Sequence, residues 1–153
     1  MYCYFTNLHD YIESSAEKFP DKVALVATKK SFTYHDIKKY SKQLASFMIA
    51  NGLQRQDRVV VCLDNSFESV VGFWATLMAG GVISVVNPDV GIDKLKYILE
   101  DLDAVTLICG EKHFARLNSY LLASKKICRI LLQSDASIYI DAKVMSLSHL
   151  AYQ

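Results

Sequence analysis

No sign of charge dominates this 153-residue chain: seventeen Lys and Arg stand against sixteen Asp and Glu, for a formal net charge of +1. Nucleic-acid binding needs clustered cations that displace counterions from phosphates. The basic doublets Lys29-Lys30, Lys38-Lys39 and Lys125-Lys126 are scattered and read as solvated faces, which excludes nucleic acid as the main partner. Glycine is also scarce, at six residues, and neither G-x-x-x-x-G-K-[ST] nor G-x-G-x-x-G occurs. A phosphate cradle built from exposed backbone N–H groups at a helix start is therefore missing. The four cysteines, Cys3, Cys62, Cys109 and Cys128, form no C-x-x-C pair, which argues against zinc. Cys62, Cys109 and Cys128 each lie in an apolar run and are expected to be buried, reduced thiols of a cytoplasmic protein. Met1-Tyr2-Cys3-Tyr4-Phe5 lacks the basic start and long apolar core of a secretion signal.

One stretch has no charge at all. Twenty residues separate Glu68 from Asp89, about the length that spans a bilayer. Gly80-Gly81 interrupts it, and beyond that point helical spacing gives way to the β-branched run Val82-Ile83-Ser84-Val85-Val86. A buried helix feeding a buried strand is the expectation, with no membrane span.

At this length the chain forms one domain's worth of protein, enough to bury about two thirds of its unfolded surface. Asn7 is positioned to cap a helix from Leu8 to Phe19, stopped by Pro20. Val23 to Ala27 reads as a strand, returning through a Lys29-Lys30 turn and Ser31-Phe32-Thr33 as a small hairpin. Thr33 with Asp36 resembles a capping box. The following helix carries Ile37, Tyr40, Leu44, Phe47 and Met48 on one face and ends at Gly52.

Alternation then sets in. Apolar strands are predicted over 59–63, 82–86, 104–109 and 127–132. Helices are predicted over 66–79, 92–102 and 111–123, with a further short strand at Ile138-Tyr139-Ile140. Strands apolar throughout and separated by long helices imply an α/β fold, a mostly parallel sheet covered on both faces.

Such a sheet binds ligands beyond the carboxyl ends of its strands, but the catalytic candidates are thin. His9, His35, His113 and His149 fall on predicted polar faces or near the end of the chain and read as surface residues. Glu100, Asp101 and Asp103 read as a solvated helix end, and Phe73 and Trp74 as core. No catalytic, cofactor-binding or metal-ligating residue is assigned from chemistry alone.

Five phrases in order carry a resemblance. Phe19-Pro20-Asp21-Lys22-Val23-Ala24-Leu25 and Phe32-Thr33-Tyr34-His35-Asp36-Ile37 resemble the opening and first core motif of the adenylate-forming ligases. That superfamily comprises acyl-CoA synthetases, peptide-synthetase adenylation domains and luciferases. Gly52-Leu53-Gln54-Arg55-Gln56-Asp57-Arg58-Val59 resembles the entry to its next strand, with Gln56 where glycine is usual. Leu77-Met78-Ala79-Gly80-Gly81-Val82 through Asn87-Pro88 resembles the second core motif, with Met78 for lysine and Val85 for its first proline. Leu95 to Asp101 followed by Ala104 to Ile108 completes the set, so the match covers roughly residues 7 to 115.

The resemblance implies the N-terminal subdomain of an AMP-forming ligase across residues 1–153. In complete enzymes of this kind a carboxylic acid and ATP give an acyl-adenylate, with Mg2+, and the acyl group passes to CoA or a carrier protein. The phosphate loop and the C-terminal domain with its catalytic lysine would lie beyond Leu150-Ala151-Tyr152-Gln153. On this reading the chain holds no cofactor itself, does not adenylate alone, and needs a complementary chain carrying the rest of the ligase. By position, Asn87 and Pro88 would form an acceptor-facing loop. Two other readings are a non-catalytic interaction module that kept the fold, and an unrelated small α/β domain binding a nucleotide or flavin.

Overall fold

A computed structural model describes residues 7–27, 30–134 and 143–147. The chain opens with α1 (His9–Lys18), then a hairpin of β1 (Val23–Ala27) and β2 (Lys30–Thr33), then α2 (Tyr34–Ala50). Alternation follows: β3 (Arg58–Cys62), α3 (Phe67–Met78), β4 (Val82–Val85), α4 (Ile92–Asp101), β5 (Thr106–Gly110), α5 (Glu111–Ala123) and β6 (Arg129–Gln133), with β7 (Val144–Ser146) last. The hairpin is antiparallel and separate. The other five strands form one parallel sheet in the order β4-β3-β5-β6-β7.

That order follows from one change of direction. The chain runs from β3 through α3 to β4 on one side, then returns through α4 past β3 to β5. Right-handed crossovers in opposite directions must place their helices on opposite faces of the sheet. One core accordingly joins α1, α2 and α3 to Val59, Val61, Ile108 and Leu131. The other joins α4 and α5 to Val60, Cys62, Leu107, Cys109, Ile130 and Leu132. Neighbouring strand residues alternate between the two, which is why the strands read as apolar throughout.

Local sequence sets the helix ends. In α2 the Asp36 N–H donates to Thr33 Oγ1 at 3.1 Å, and the Asp36 carboxylate accepts from the Thr33 N–H at 2.8 Å, closing the expected box. Its other end is a Schellman turn: Gly52 sits at φ 87°, its N–H bonds to Ile49, and the Leu53 N–H bonds to Met48. Ser66 and Ser69 cap α3 reciprocally, and Gly80 at φ 77° repeats the Schellman turn at its end.

The orphan carbonyls at three helix ends meet cations from the start of a strand. Arg58 donates to Leu102 and Asp103 after α4, and Arg129 to Asn51 after α2. Lys143 donates to Leu122 and Ser124 at the end of α5. Each satisfies acceptors that the helix leaves unpaired and opposes the negative end of its dipole.

Several expectations need correction. Asn7 does not cap α1: Leu8 occupies the N-cap position without a side-chain bond. Instead the Asp10 carboxylate accepts the Asn7 N–H at 2.9 Å, so this position is tied to the first turn through its backbone. Cys62 and Cys109 are buried as expected, but Cys128 is exposed, because it precedes the first residue of β6 at the rim of the sheet. Lys30 belongs to β2, while Lys29 and Ile138 to Ile140 lie outside the described residues. The strand β7 was not read; three residues are too short to show a period. Among the described residues no helix is long and apolar enough to cross a membrane.

Candidate functional site

The sheet reverses its winding at β3, so a crevice opens beyond the carboxyl ends of β3 and β5, where flanking connections leave in opposite directions. A cleft of about 590 Å³ occupies that place. Cys62 to Asp64 leave β3 at its floor, Pro88 and Asp89 come from the loop after β4, Gly110 ends β5, and Gln133 and Ser134 end β6.

One wall is aromatic. The Phe32 ring from the hairpin stacks on Phe67 of α3 with centroids 3.9 Å apart and planes at 12°. Tyr40 of α2 meets Phe67 edge-on at 5.4 Å. Three separate elements thus share one contact, which fixes the start of α3 against the hairpin.

The rim is polar and tied across elements. Gln133 Nε2 donates to Glu68 at 2.9 Å, joining β6 to α3. The Ser134 hydroxyl donates to the Glu111 carboxylate, joining β6 to α5. His113, 8% exposed, places Nε2 2.7 Å from the Pro88 carbonyl oxygen. Because a carbonyl only accepts, the Nε2–H tautomer is the one that fits. The loop it holds is a compact turn, in which Asn87 Oδ1 accepts the Asp89 N–H at 2.8 Å and the Val90 N–H bonds to Asn87 at 3.1 Å.

His113 was expected at the surface and is buried instead. It falls in the first turn of α5, and the loop after β4 closes over it only once β4 and β5 have been placed around β3. Pro88 lines the cleft, whereas Asn87 is exposed and turns its side chain into its own loop. Glu68, Glu111, Gln133 and Ser134 carried no motif, and nothing local in the sequence marks them.

Burial pushes the Cys62 thiol up to about 11, helped by the Asp64 charge, and the Cys109 thiol beside it on β5 up to about 12. Neither is an activated nucleophile. Asp64, Glu68, Asp89 and Glu111 line the cleft against one lysine, Lys112. That field opposes a triphosphate. No group of three or more His, Cys, Asp or Glu side chains among the described residues could hold a metal ion. The described lining does not fit ATP with its magnesium, and no chemical step is derived through them.

Residues 12–147 match the family described as AMP-binding enzyme. This chain belongs to that family. The match spans most of the chain and includes every strand of the parallel sheet. Among similar proteins, the long-chain-fatty-acid–CoA ligase of Bacillus subtilis (strain 168) is 38% identical over 101 residues, which are 66% of this chain and 18% of that protein. Malpinin synthetase of Mortierella alpina is 38% identical over 104 residues, covering 68% of this chain and 1% of that protein. An anthranilate CoA ligase solved in complex with anthranoyl-AMP superposes with a TM-score of 0.86 at 18% identity, over 99% of this chain and 28% of that one. This AMP-binding chain therefore spans less than a third of each of these relatives, and the structural likeness at that identity speaks to fold alone.

Proposed function

We propose that this chain supplies the N-terminal wall of an acyl-adenylating site and does not form acyl-adenylates by itself. The complete reaction joins a carboxylic acid to ATP, releases pyrophosphate, and then transfers the acyl group to a thiol of CoA or a carrier protein. The observation that carries the reading is the cleft. It sits at the carboxyl edge of the sheet, as a ligand site of this architecture should, yet its described lining is aromatic and acidic. Stabilising charge on phosphoryl oxygens needs preorganised donors and a metal. On this reading those come from the rest of the ligase, borne by a complementary chain.

Asn87 and Pro88 are proposed to face the thiol acceptor, in a loop held in shape by its own Asx turn and by His113. The test is acid-dependent exchange of pyrophosphate into ATP, with the native mass of the chain recorded beside it. Exchange is expected only in a complex with a larger partner. Exchange by the chain alone would overturn the proposal. A folded chain that neither exchanges nor meets such a partner in its source cells would point instead to an interaction module that kept the fold.

A further inference from the structure

Two thiols stand side by side where the cleft meets the sheet, and the adenylation chemistry calls on neither. Cys62 is the last residue of β3 and Cys109 the last but one of β5. The parallel register sets Cys62 directly against Cys109. Both belong to the second core, with Val60, Val86, Leu107 and Phe114, so both side chains leave the same face of the sheet. Both thiols are free and 0% exposed, and Cys62 reaches the floor of the cleft. Each strand has a neighbour on either side, so the pair lies inside the sheet and owes nothing to an edge.

Spacing decides what such a pair can do. Neighbouring strands run about 4.8 Å apart, and in-register parallel neighbours point the same way, so the two side chains stand at about that distance. A disulfide wants its Cβ atoms about 3.8 Å apart, which would pull together two strands that are hydrogen-bonded on both sides. Two thiolate–metal bonds of ordinary length, about 2.3 Å as for zinc, span nearly the strand spacing when set in a line. Linear coordination needs two sulfurs and no third group, and among the described residues no larger set of ligands is present.

Charge decides which ion. Thiolates select soft metals. A monovalent ion held by two thiolates would leave a negative charge in this core, within the field of Asp64, and burial penalises such a charge. A divalent ion that displaces both thiol protons leaves the site as neutral as it was.

We propose that Cys62 and Cys109 form a two-coordinate site for a soft divalent ion, of which mercuric ion is the type, bridging β3 and β5 at the floor of the cleft. Two S–H bonds break and their protons go to water, two metal–sulfur bonds form, and mercuric chloride gives up its two chlorides. No electron changes hands, so no oxidant is needed. A small ion enters at Cys62 where a bulkier alkylating reagent is held out. The site follows from strand register and does not rest on the ligase reading.

The full chain carrying Cys3→Ser and Cys128→Ser retains only this pair of thiols and is the protein to test. Mercuric chloride is added to the folded chain, excess ion is removed, and native mass and X-ray absorption at the metal edge are recorded. The expected product is one ion per monomer, heavier than the free chain by the ion less two protons, with two sulfur neighbours at about 2.3 Å and no third. Cys62→Ala or Cys109→Ala in that background removes one sulfur. Each variant should give up its ion to competing 2-mercaptoethanol at a concentration at least about a hundredfold lower, because two sulfurs on one scaffold act through their effective concentration. Circular dichroism and the urea midpoint establish that the variants are folded; if one is not, the other decides. Retention that both variants leave unchanged overturns the proposal. So does an ion with three or more sulfur neighbours, an ion that joins two chains, or a folded chain that takes up none.

Discussion

His113 Nε2 lies 2.7 Å from the carbonyl oxygen of Pro88, a side chain in the first turn of α5 bonded to a loop twenty-five residues earlier. The imidazole is buried, and the carbonyl it meets belongs to a half-buried proline on the wall of the cleft. Removing it leaves that carbonyl without its donor.

His113→Ala should therefore destabilise the chain by roughly 0.5–1.5 kcal/mol, the usual net contribution of a hydrogen bond. Urea unfolding measures this. The Asp89 and Val90 amides should exchange faster in the variant, and His113→Gln, which can restore a donor, should recover part of both effects. A loss below about 0.5 kcal/mol, within the range of ordinary surface changes, would show that the bond contributes little.

Gln56 takes φ 68° where the family motif has glycine, and its N–H bonds to the Gly80 carbonyl at 2.8 Å. A side chain in the left-handed region costs about 1–2 kcal/mol, offset in part by the freer unfolded state of glycine. Gln56→Gly should stabilise the chain by up to about 1 kcal/mol. The reverse change at Gly80, φ 77°, should destabilise it by a similar amount as Gly80→Ala, although the added Cβ would meet only Arg55 atoms at 3.6 Å or more. Thermal melts of the two variants should move in opposite directions.

Thr33→Ala should cost about 1 kcal/mol through the N-cap of α2, and Asp36→Ala a comparable amount through the return bond to Thr33. The two halves of the box share one geometry, so the double variant should cost less than the sum. A double-mutant cycle with a coupling near zero would mean that the halves act independently.

The buried thiols give the pH dependence its sign. Burial, aided by Asp64, raises Cys62 from the ordinary 9.0 to about 11, and burial, aided by Cys62, raises Cys109 to about 12. The folded state thus holds protons that the unfolded state has released. Stability from this source is complete below pH 9.0 and declines as pH rises toward 11 to 12. Urea midpoints should fall across that window, and replacing both residues with Ala should make the slope shallower. At neutral pH, peptide mapping after alkylation should find Cys128 modified at the rate of an exposed thiol and Cys62 and Cys109 protected until the chain unfolds.

Much of this protein could be read locally. Thr33 with Asp36, Ser66 before an apolar helix, and glycines at positions 52 and 80 act through neighbours three or four residues away, so their roles are visible in one dimension. The strands β3, β5 and β6 are apolar on both faces, which already implies a parallel sheet between two helical layers. Order and spacing of the five phrases carried the family.

The cleft was not legible in the same way. Phe32 meets Phe67, Glu68 meets Gln133, Glu111 meets Ser134 and His113 meets Pro88 only because β4 and β5 flank β3 and the chain reverses its winding there. Those partners lie 23 to 65 residues apart and share no period. The short strand β7, the exposure of Cys128 and the burial of His113 were decided at the same level. The sequence by itself determined the helices and every described strand but β7, because capping and periodicity act over a single turn or a pair of residues. Which side chains converge on the cleft depended on strand order, a property of long-range packing that no local pattern encodes.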